Sequence, residues 1–214
     1  MPDITKQEIK DLIGTGAVIL EVGSFNGKDA AELAEVCETE VHAFEPNPAS
    51  YEIMKLLGND RLIIWNYAVC AHNGYTILNL SNHPQSDTIK TPKLHKKLFP
   101  DVKYKDSIKV KATTLDSWNY SVRKGDPVDF IWIDCNGSEA DFILGANQTL
   151  AKTKYVYIEY CEKELFSKAL NRAGIQKALP GFGTLGDYNF QGNFGNLLMK
   201  NKNERLWQDH QITE

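Results

Sequence analysis

The sequence predicts an α/β fold: a doubly wound, mostly parallel sheet with helices on both faces, in three layers. Two observations carry this prediction. Short apolar runs rich in β-branched residues alternate along most of the chain with segments that have helical patterning. The runs are continuously apolar, as in strands that are buried on both faces of a parallel sheet. The 214 residues have room for one sizeable core, so we expect a single domain over 1–214.

The elements follow in chain order. Thr5-Lys6-Gln7-Glu8 fits a capping box, which predicts a first helix over about 5–13. The glycine-rich stretch 181–186 lacks a P-loop lysine and is typical of a flexible turn. Strands are expected at 17–22, 41–44, 62–66, 128–133, 155–158 and 196–200, and further helices at 28–37, 48–57, 138–150 and 164–173.

The segment 71–111 departs from this alternation. Strands are expected at 75–80 and 107–111, and the polar stretch between them contains Pro84, Pro92 and the basic run His95-Lys96-Lys97. We predict that this excursion, over about 81–106, forms a lid on the site. A solvated surface loop is the alternative.

Composition excludes several classes of protein. The net charge is −4, from 24 basic and 28 acidic residues, so binding to nucleic acid by a general basic field is not favoured. The longest apolar runs have four residues, whereas a membrane span needs about 20. No targeting signal is evident, so we expect a cytoplasmic protein with no membrane partner. The four cysteines lack CxxC spacing and predict reduced thiols.

Residues that can bind a nucleoside follow the first two strands. Ligands of doubly wound sheets bind at the carboxyl ends of the strands. Gly23 and Gly27 permit a tight turn there, before a helix. Glu45 follows the second strand, 22 residues after Gly23, close to the spacing of about 20 at which an acid holds ribose hydroxyls. An ordinary turn and a surface acid are the alternatives.

The charge of the predicted site indicates which nucleoside it binds. Phe25 stands where a dinucleotide fingerprint has its second glycine. A ring of acids would repel a pyrophosphate and attract a cationic nucleoside, such as S-adenosylmethionine with its sulfonium and ammonium groups. The acids at the strand ends are Glu21, Glu45, Asp134, Glu139 and Glu159.

Several motifs, in a specific order and spacing, carry a family resemblance. They are VILEVGSFNG (18–27), VHAFEPNP (41–48), NYAVCAHNGYTILNL (66–80), VKATTLDSW (110–118), VDFIWIDCNGSEADFILGA (128–146) and YVYIEY (155–160). On these motifs the chain resembles the FkbM-type family of class I S-adenosylmethionine-dependent methyltransferases. The resemblance implies a seven-stranded Rossmann-like sheet and methyl transfer from S-adenosylmethionine to a hydroxyl of a small molecule or glycan.

The resemblance also implies residue roles. Glu45 would bind the ribose, Tyr67 would flank the adenine, and Gly137 and Glu139 complete the family's D-x-x-G-x-E pattern. Asn136 stands where the family often has Glu or Gln, which weakens any proposal of a carboxylate base there. The expected cofactor-binding residues are Glu21, Gly23, Ser24, Asn26, Gly27, Glu45, Pro46, Asn47, Ala68, Val69 and Asp134.

A hydroxyl acceptor needs a proton acceptor within reach. Asp134 is the first candidate, Glu159 the second and Glu139 the third. The alternatives are a cofactor contact for Asp134, an ion pair for Glu159 and a favourable helix-terminus charge for Glu139. Asp134, Glu159 and Asn136 could instead hold a divalent metal, but no further ligand is evident, so we expect none.

Two other functions fit the predicted fold. One is a non-catalytic nucleoside-binding or interaction domain. Such a domain has no physical need for both Glu45 and Asp134, so the presence of the two acids favours an enzyme. The other is an NAD-dependent oxidoreductase, against which Phe25 and the acidic sheet edge both argue.

Overall fold

The computed structural model describes residues 3–189 and 193–207. Ten strands are assigned in this part of the chain. They are β1 (Ile19–Val22), β2 (Val41–Phe44), β3 (Leu62–Trp65), β4 (Ala68–Val69), β5 (Gly74–Ser81), β6 (Tyr104–Thr113), β7 (Val128–Ile133), β8 (Thr153–Cys161), β9 (Phe182–Asn189) and β10 (Phe194–Asn201).

The main sheet has seven strands in the order β3-β2-β1-β7-β8-β10-β9. β1, β2, β3, β7 and β8 are parallel, and β10 runs antiparallel to both of its neighbours. From β1 the chain adds β2 and β3 on one side of the sheet, and then β7 and β8 on the other side. The strand order therefore reverses at β1. In a doubly wound sheet this reversal opens a crevice at the carboxyl ends of the strands, where ligands bind.

The helices lie between the strands. Among the described residues, no helix is both long and apolar enough to cross a membrane. The helices are α1 (Lys6–Ile13), α2 (Lys28–Val36), α3 (Pro48–Met54), α4 (His95–Leu98), α5 (Leu115–Arg123), α6 (Glu139–Leu144), α7 (Asn147–Leu150) and α8 (Arg172–Ala178).

The core has one apolar layer on each face of the sheet. Ile19 of β1 packs in the layer that contains Ile9 of α1 and Leu33 of α2. Leu20 packs in the opposite layer, with Trp118 of α5 and Phe142 of α6. Because side chains alternate along a strand, Glu21 lies on the α1–α2 face, and the same alternation places Glu159 and Asn196 there.

A second sheet of three strands, in the order β4-β6-β5, carries the excursion. Residues 82–103 connect β5 to β6, which pair antiparallel from Gly74↔Ala112 to Ser81↔Tyr104. The connection includes α4 and a 3₁₀ turn at Pro84–Ser86. It is therefore anchored at both ends by paired strands.

The sequence predicts the class of the fold and most of its strands correctly. The doubly wound, mostly parallel seven-stranded sheet with helices on both faces is confirmed. The first helix begins at Lys6 with Thr5 as its N-cap, and the expected capping box is present. The helix expected over 138–150 is interrupted, since α6 ends before Gly145 and α7 begins at Asn147.

The helix expected over 164–173 is wrong. The backbone of this segment bonds instead to the excursion: Lys93 and His95 donate to the Leu165 carbonyl, and Ser167 donates to the Thr91 carbonyl. The helix α8 begins at Arg172, because the Asn171 side chain caps it by accepting from the Gly174 N–H. These tertiary hydrogen bonds have no sequence pattern of their own.

The flexible turn expected at 181–186 is also wrong. Residues 182–186 belong to β9, an edge strand that pairs antiparallel with β10. The register shifts between Leu198 and Met199, so the strand contains an irregularity. Glycine is common at such irregularities, and its presence alone does not distinguish a bulged edge strand from a turn.

Candidate active site

A cavity of about 300 Å³ lies at the carboxyl ends of β1, β2, β7 and β8. Among its described lining residues there is no Lys, Arg or His. Such a site repels phosphate groups and attracts cations. The acidic residues that line it are Asp3, Glu21, Asp29, Glu45, Asp87, Asp134 and Glu159.

Glu21 is a buried acid at the end of β1, with 4% of its surface exposed. The Ser24 hydroxyl donates to the Glu21 backbone carbonyl at 3.2 Å, and burial raises the pKa of the Glu21 side chain to about 8. Its Oε2 atom is buried with no hydrogen-bond partner in the described part of the chain. A buried polar atom without a partner is unfavourable, so Glu21 is poised to bind a cationic or N–H group of a ligand.

The turn after β1 brings two loops into contact. Gly23 has φ +93°, and a Cβ atom there would lie 1.7 Å from the carbonyl oxygen of Asp134. Only glycine allows this approach of the β1 loop to the residue after β7. Phe25 also adopts a left-handed conformation, with φ +47°.

Glu45 is held by backbone donors. Its two carboxylate oxygens accept from the Phe25 N–H at 2.8 Å and the Asn47 N–H at 2.7 Å. Burial raises the pKa of Glu45 to about 8, and these two hydrogen bonds oppose that rise. In the ionised form each oxygen has a further lone pair, so the side chain is fixed in place and can accept from two neighbouring hydroxyls.

Asp134 follows β7 and Glu159 lies on β8. The two carboxyl groups are hydrogen-bonded to each other. Burial raises the pKa of Asp134, and burial together with the nearby Asp134 raises that of Glu159 well above its ordinary value. The Asn136 backbone N–H also bonds to Asp134, which favours its ionised form. Two hydrogen-bonded carboxyl groups titrate as a pair, and the pKa of Glu159, raised well above its ordinary value, makes Glu159 the more readily protonated of the two.

Glu139 supports the loop after β7. It is buried, and its Oε1 accepts from the Cys135 N–H at 3.2 Å and the Gly137 N–H at 3.1 Å. Burial raises its pKa to about 7. Glu139 lines not the acidic cavity but a neighbouring one, and the two backbone donors that hold its Oε1 favour a positioning role.

The excursion packs against the acidic cavity. The Asn136 side chain donates to the carbonyls of Gln85 and Asp87, and Thr88 donates to the Asn136 carbonyl. The Asn47 amide donates to Asp87 at 2.7 Å. These bonds tie the excursion to the loops after β2 and β7.

The structure brings together most of the expected site residues. Gly27 and Asn47 do not line the cavity: Gly27 precedes α2, and Asn47 caps α3. The lining also includes residues that the sequence did not indicate, notably Asp87, Thr88 and Ile89 of the excursion, Trp132 and Asn196. The expected residues that line the cavity are Glu21, Gly23, Ser24, Asn26, Glu45, Pro46, Tyr67, Ala68, Val69, Asp134 and Glu159.

Asn196 had no detectable signal in the sequence. It lies opposite Glu159 on the antiparallel strand β10, and its Oδ1 atom is buried without a partner in the described residues. Only the strand pairing reveals that it belongs to the cavity. No group of three or more His, Cys, Asp or Glu side chains with the geometry of a metal site occurs in the described part of the chain.

The comparisons with known proteins agree with this geometry. Residues 21–180 match the model of the methyltransferase FkbM domain. The chain belongs to the FkbM methyltransferase family. It is an S-adenosylmethionine-dependent O-methyltransferase, as the sequence motifs implied. The alternatives of a non-catalytic domain and an NAD-dependent oxidoreductase find no support.

This FkbM methyltransferase is also similar to individual known proteins in sequence and in fold. It is 30% identical over 194 residues to the 2-O-methyltransferase NoeI of Sinorhizobium fredii, covering 86% of this chain and 79% of the relative. In fold it is similar to the N-terminal domain of EvdMO1 with SAH bound, with a TM-score of 0.53 and 10% identity over 92% of this chain and 78% of that one. A rRNA methylase from Streptococcus thermophilus gives the same TM-score and identity, covering 92% of this chain and 93% of the other.

Replacing Glu45 with alanine tests the ribose site of this FkbM methyltransferase. We expect the Kd for S-adenosylmethionine to rise, because each lost hydrogen bond to a charged group is worth about 1.5–3 kcal/mol. Titration calorimetry measures the change. Glu35→Ala, which removes an exposed acid outside the cavity, is the matched control. An unchanged Kd for Glu45→Ala would mean that the ribose is held elsewhere.

Proposed function

We propose that the acidic cavity binds S-adenosylmethionine and that the carboxylates beside it direct methyl transfer to a hydroxyl. The unpartnered Oε2 of buried Glu21, in a cavity with no cation among its described lining residues, carries this proposal. When bound, S-adenosylmethionine supplies a methyl group whose bond to the sulfonium sulfur breaks with the electron pair passing to sulfur. The donor set fits this cofactor, since carboxylates complement its two cationic groups.

Each wall of the cavity has its own role. Glu21, Asn26 and Asp134 would hold the charged methionine part. Glu45, fixed by two backbone donors, would accept from the ribose hydroxyls. The apolar wall beside Glu45 would enclose the adenine, and it consists of Pro46, Tyr67, Ala68, Val69 and Leu78.

Asp134 is our candidate for the proton acceptor. The hydrogen bond from Glu159 lowers the pKa of Asp134 and raises that of Glu159, so Asp134 is the member of the pair that ionises first. Glu139 accepts from two backbone N–H groups of the loop after β7, so it positions the loop that carries Asp134. Holding the acceptor oxygen against the methyl group supplies much of the rate in such a displacement, so the protein's remaining tasks are orientation and removal of the proton.

The affinity for S-adenosylmethionine is expected to rise with pH. A bound cation favours the ionised form of Glu21, whose pKa is about 8 in the free protein, so binding releases a proton. Between about pH 6 and about pH 7.5 the affinity then rises by at most about tenfold per pH unit for one such group. Titration calorimetry in buffers of different ionisation enthalpy measures both the affinity and the released protons.

Glu21→Gln separates the role of this residue from the function as a whole. The variant should bind S-adenosylmethionine more weakly and with a shallower pH dependence. A wild-type affinity independent of pH would contradict the role of Glu21. A protein that binds neither S-adenosylmethionine nor S-adenosylhomocysteine would overturn the proposed function.

The acceptor is a hydroxyl of a small molecule or glycan. The name of the relative, a 2-O-methyltransferase, supports transfer to oxygen. A screen of hydroxylated compounds with labelled methyl donor, followed by mass spectrometry, identifies it. The exclusion of nucleic acid acceptors and the cytoplasmic location stay predictions from the sequence, as does closure of residues 81–106 as a lid.

A further inference from the structure

A second cavity, of about 270 Å³, adjoins the acidic one. The two cavities share three lining residues: Gln85, Asn136 and Glu159. Glu159 lies where the two cavities meet and is hydrogen-bonded to Asp134, the candidate proton acceptor, which lines the acidic cavity only. Its volume is near the lower limit of about 300 Å³ for small-molecule sites, which suits one ring rather than an extended chain.

One wall of this second cavity is aromatic. The ring centroid of His95 lies 4.9 Å from that of Phe99 and 4.9 Å from that of Phe166, and Phe99 lies 5.9 Å from Phe194. His95 is buried, and burial lowers its pKa, so its ring is neutral at pH 7. This wall is therefore aromatic and uncharged.

Phe166 packs closely against Gly137, which has no side chain. A Cβ atom at Gly137, where φ is +88°, would lie 2.5 Å from the Cβ of Phe166. The close approach seats the aromatic wall against the loop that carries Asp134. The segment around Phe166 is also bonded to the excursion through the Leu165 carbonyl, so both sides of the cavity are fixed relative to the carboxylates.

Another part of the lining is polar. His83 and Gln85 are exposed side chains from the excursion, and they line the cavity with Ser86. Asn136 is held there by its bonds to two excursion carbonyls. A ligand that fits both walls has an apolar C–H face on one side and several hydroxyls on the other. A phenol has two apolar faces and one hydroxyl, so it matches only the aromatic wall.

We propose that the second cavity is the acceptor site and that it binds one pyranose ring of a sugar. The ring's C–H face packs on the aromatic wall, and its hydroxyls bond to Gln85, His83 and Asn136. The reacting hydroxyl lies beside Glu159, where the two cavities meet, and faces the acidic cavity that Asp134 lines. Its oxygen forms the new O–CH₃ bond as the bond between that methyl group and the sulfonium sulfur breaks with its electron pair passing to sulfur, and its proton passes to Asp134. This assignment rests on the proposed function, since it requires the donor in the adjoining acidic cavity.

Ala169→Trp tests the proposal. Ala169 lines the second cavity and not the first, so a large side chain there fills the acceptor site and leaves the cofactor site intact. The ligands are a panel of methyl pyranosides and, as the competing class, a panel of catechols. Saturation-transfer NMR in the presence of S-adenosylhomocysteine measures ligand binding, and calorimetry measures affinity for S-adenosylmethionine. Ala151→Trp, at an exposed alanine outside both cavities, is the matched control.

We expect wild type and Ala151→Trp to bind at least one pyranoside and to methylate it. Ala169→Trp should weaken that binding by about tenfold or more, with the affinity for S-adenosylmethionine within about twofold of wild type. The proposal would be overturned if the wild-type protein, with its cofactor bound, took catechols but no pyranoside. It would also be overturned if Ala169→Trp bound both the cofactor and pyranosides as well as the wild-type protein does. If the wild-type protein did not bind S-adenosylmethionine at all, the proposed function itself would be overturned.

Discussion

Gly23→Ala is expected to destabilise the enzyme by more than about 3 kcal/mol and to abolish binding of S-adenosylmethionine. The added Cβ would lie 1.7 Å from the Asp134 carbonyl oxygen and 2.8 Å from its carbonyl carbon. Neither backbone can retreat easily, because the Asp134 N–H donates to the Val22 carbonyl beside the turn. The clash therefore separates the loops that hold Glu21 and Asp134. Chemical denaturation and calorimetry measure the two effects.

Gly16→Ala is the matched control for this substitution. Gly16 also has a positive φ, of +71°, but no atom lies within 4 Å of the Cβ that alanine would add. It should cost only the backbone strain, about 1–2 kcal/mol, and leave cofactor binding unchanged. If both variants were equally stable and both bound the cofactor, close contact between the two loops would not be what Gly23 provides.

The sequence predicts the parts of this fold that depend on local pattern. The buried parallel strands have continuous apolar runs, and the acids that follow them were expected at one edge because parallel strands end together. Glu21, Glu45, Asp134 and Glu159 indeed line one cavity. Their roles stay proposals, but their proximity follows from strand order alone.

What the sequence did not reveal depends on contacts between distant segments. Asn196 lies on the reversed strand β10, so no rule for parallel strand ends places it beside Glu159. The segment 164–169 has helical patterning, yet its backbone bonds to the excursion 70 or more residues earlier in the chain. The aromatic wall of the second cavity is assembled from the excursion, this segment and β10, which explains why no single motif indicated it.

Asp134→Asn is expected to lower kcat by about 10²–10⁴-fold, the usual range for loss of a general base. The amide keeps the size of the side chain but does not accept the hydroxyl proton. Glu159→Gln should lower kcat less, because Asp134 stays as the acceptor without the proton-bearing partner that tunes its pKa. Single-turnover measurements with saturating S-adenosylmethionine separate this effect from weaker cofactor binding.

The pH dependence of the rate distinguishes proton transfer from a merely structural role of the pair. A base must be ionised, so the wild-type rate should rise with pH through the pKa that the Asp134–Glu159 pair has with cofactor bound, and this rise should be absent in Asp134→Asn. Because the two carboxyls act as one unit, the double variant should be about as slow as Asp134→Asn alone. Glu162→Gln, at an exposed acid just beyond this pair, is the control and should retain the wild-type profile. A wild-type profile in Asp134→Asn would assign Asp134 to cofactor contact alone and leave deprotonation to water or to the acceptor itself.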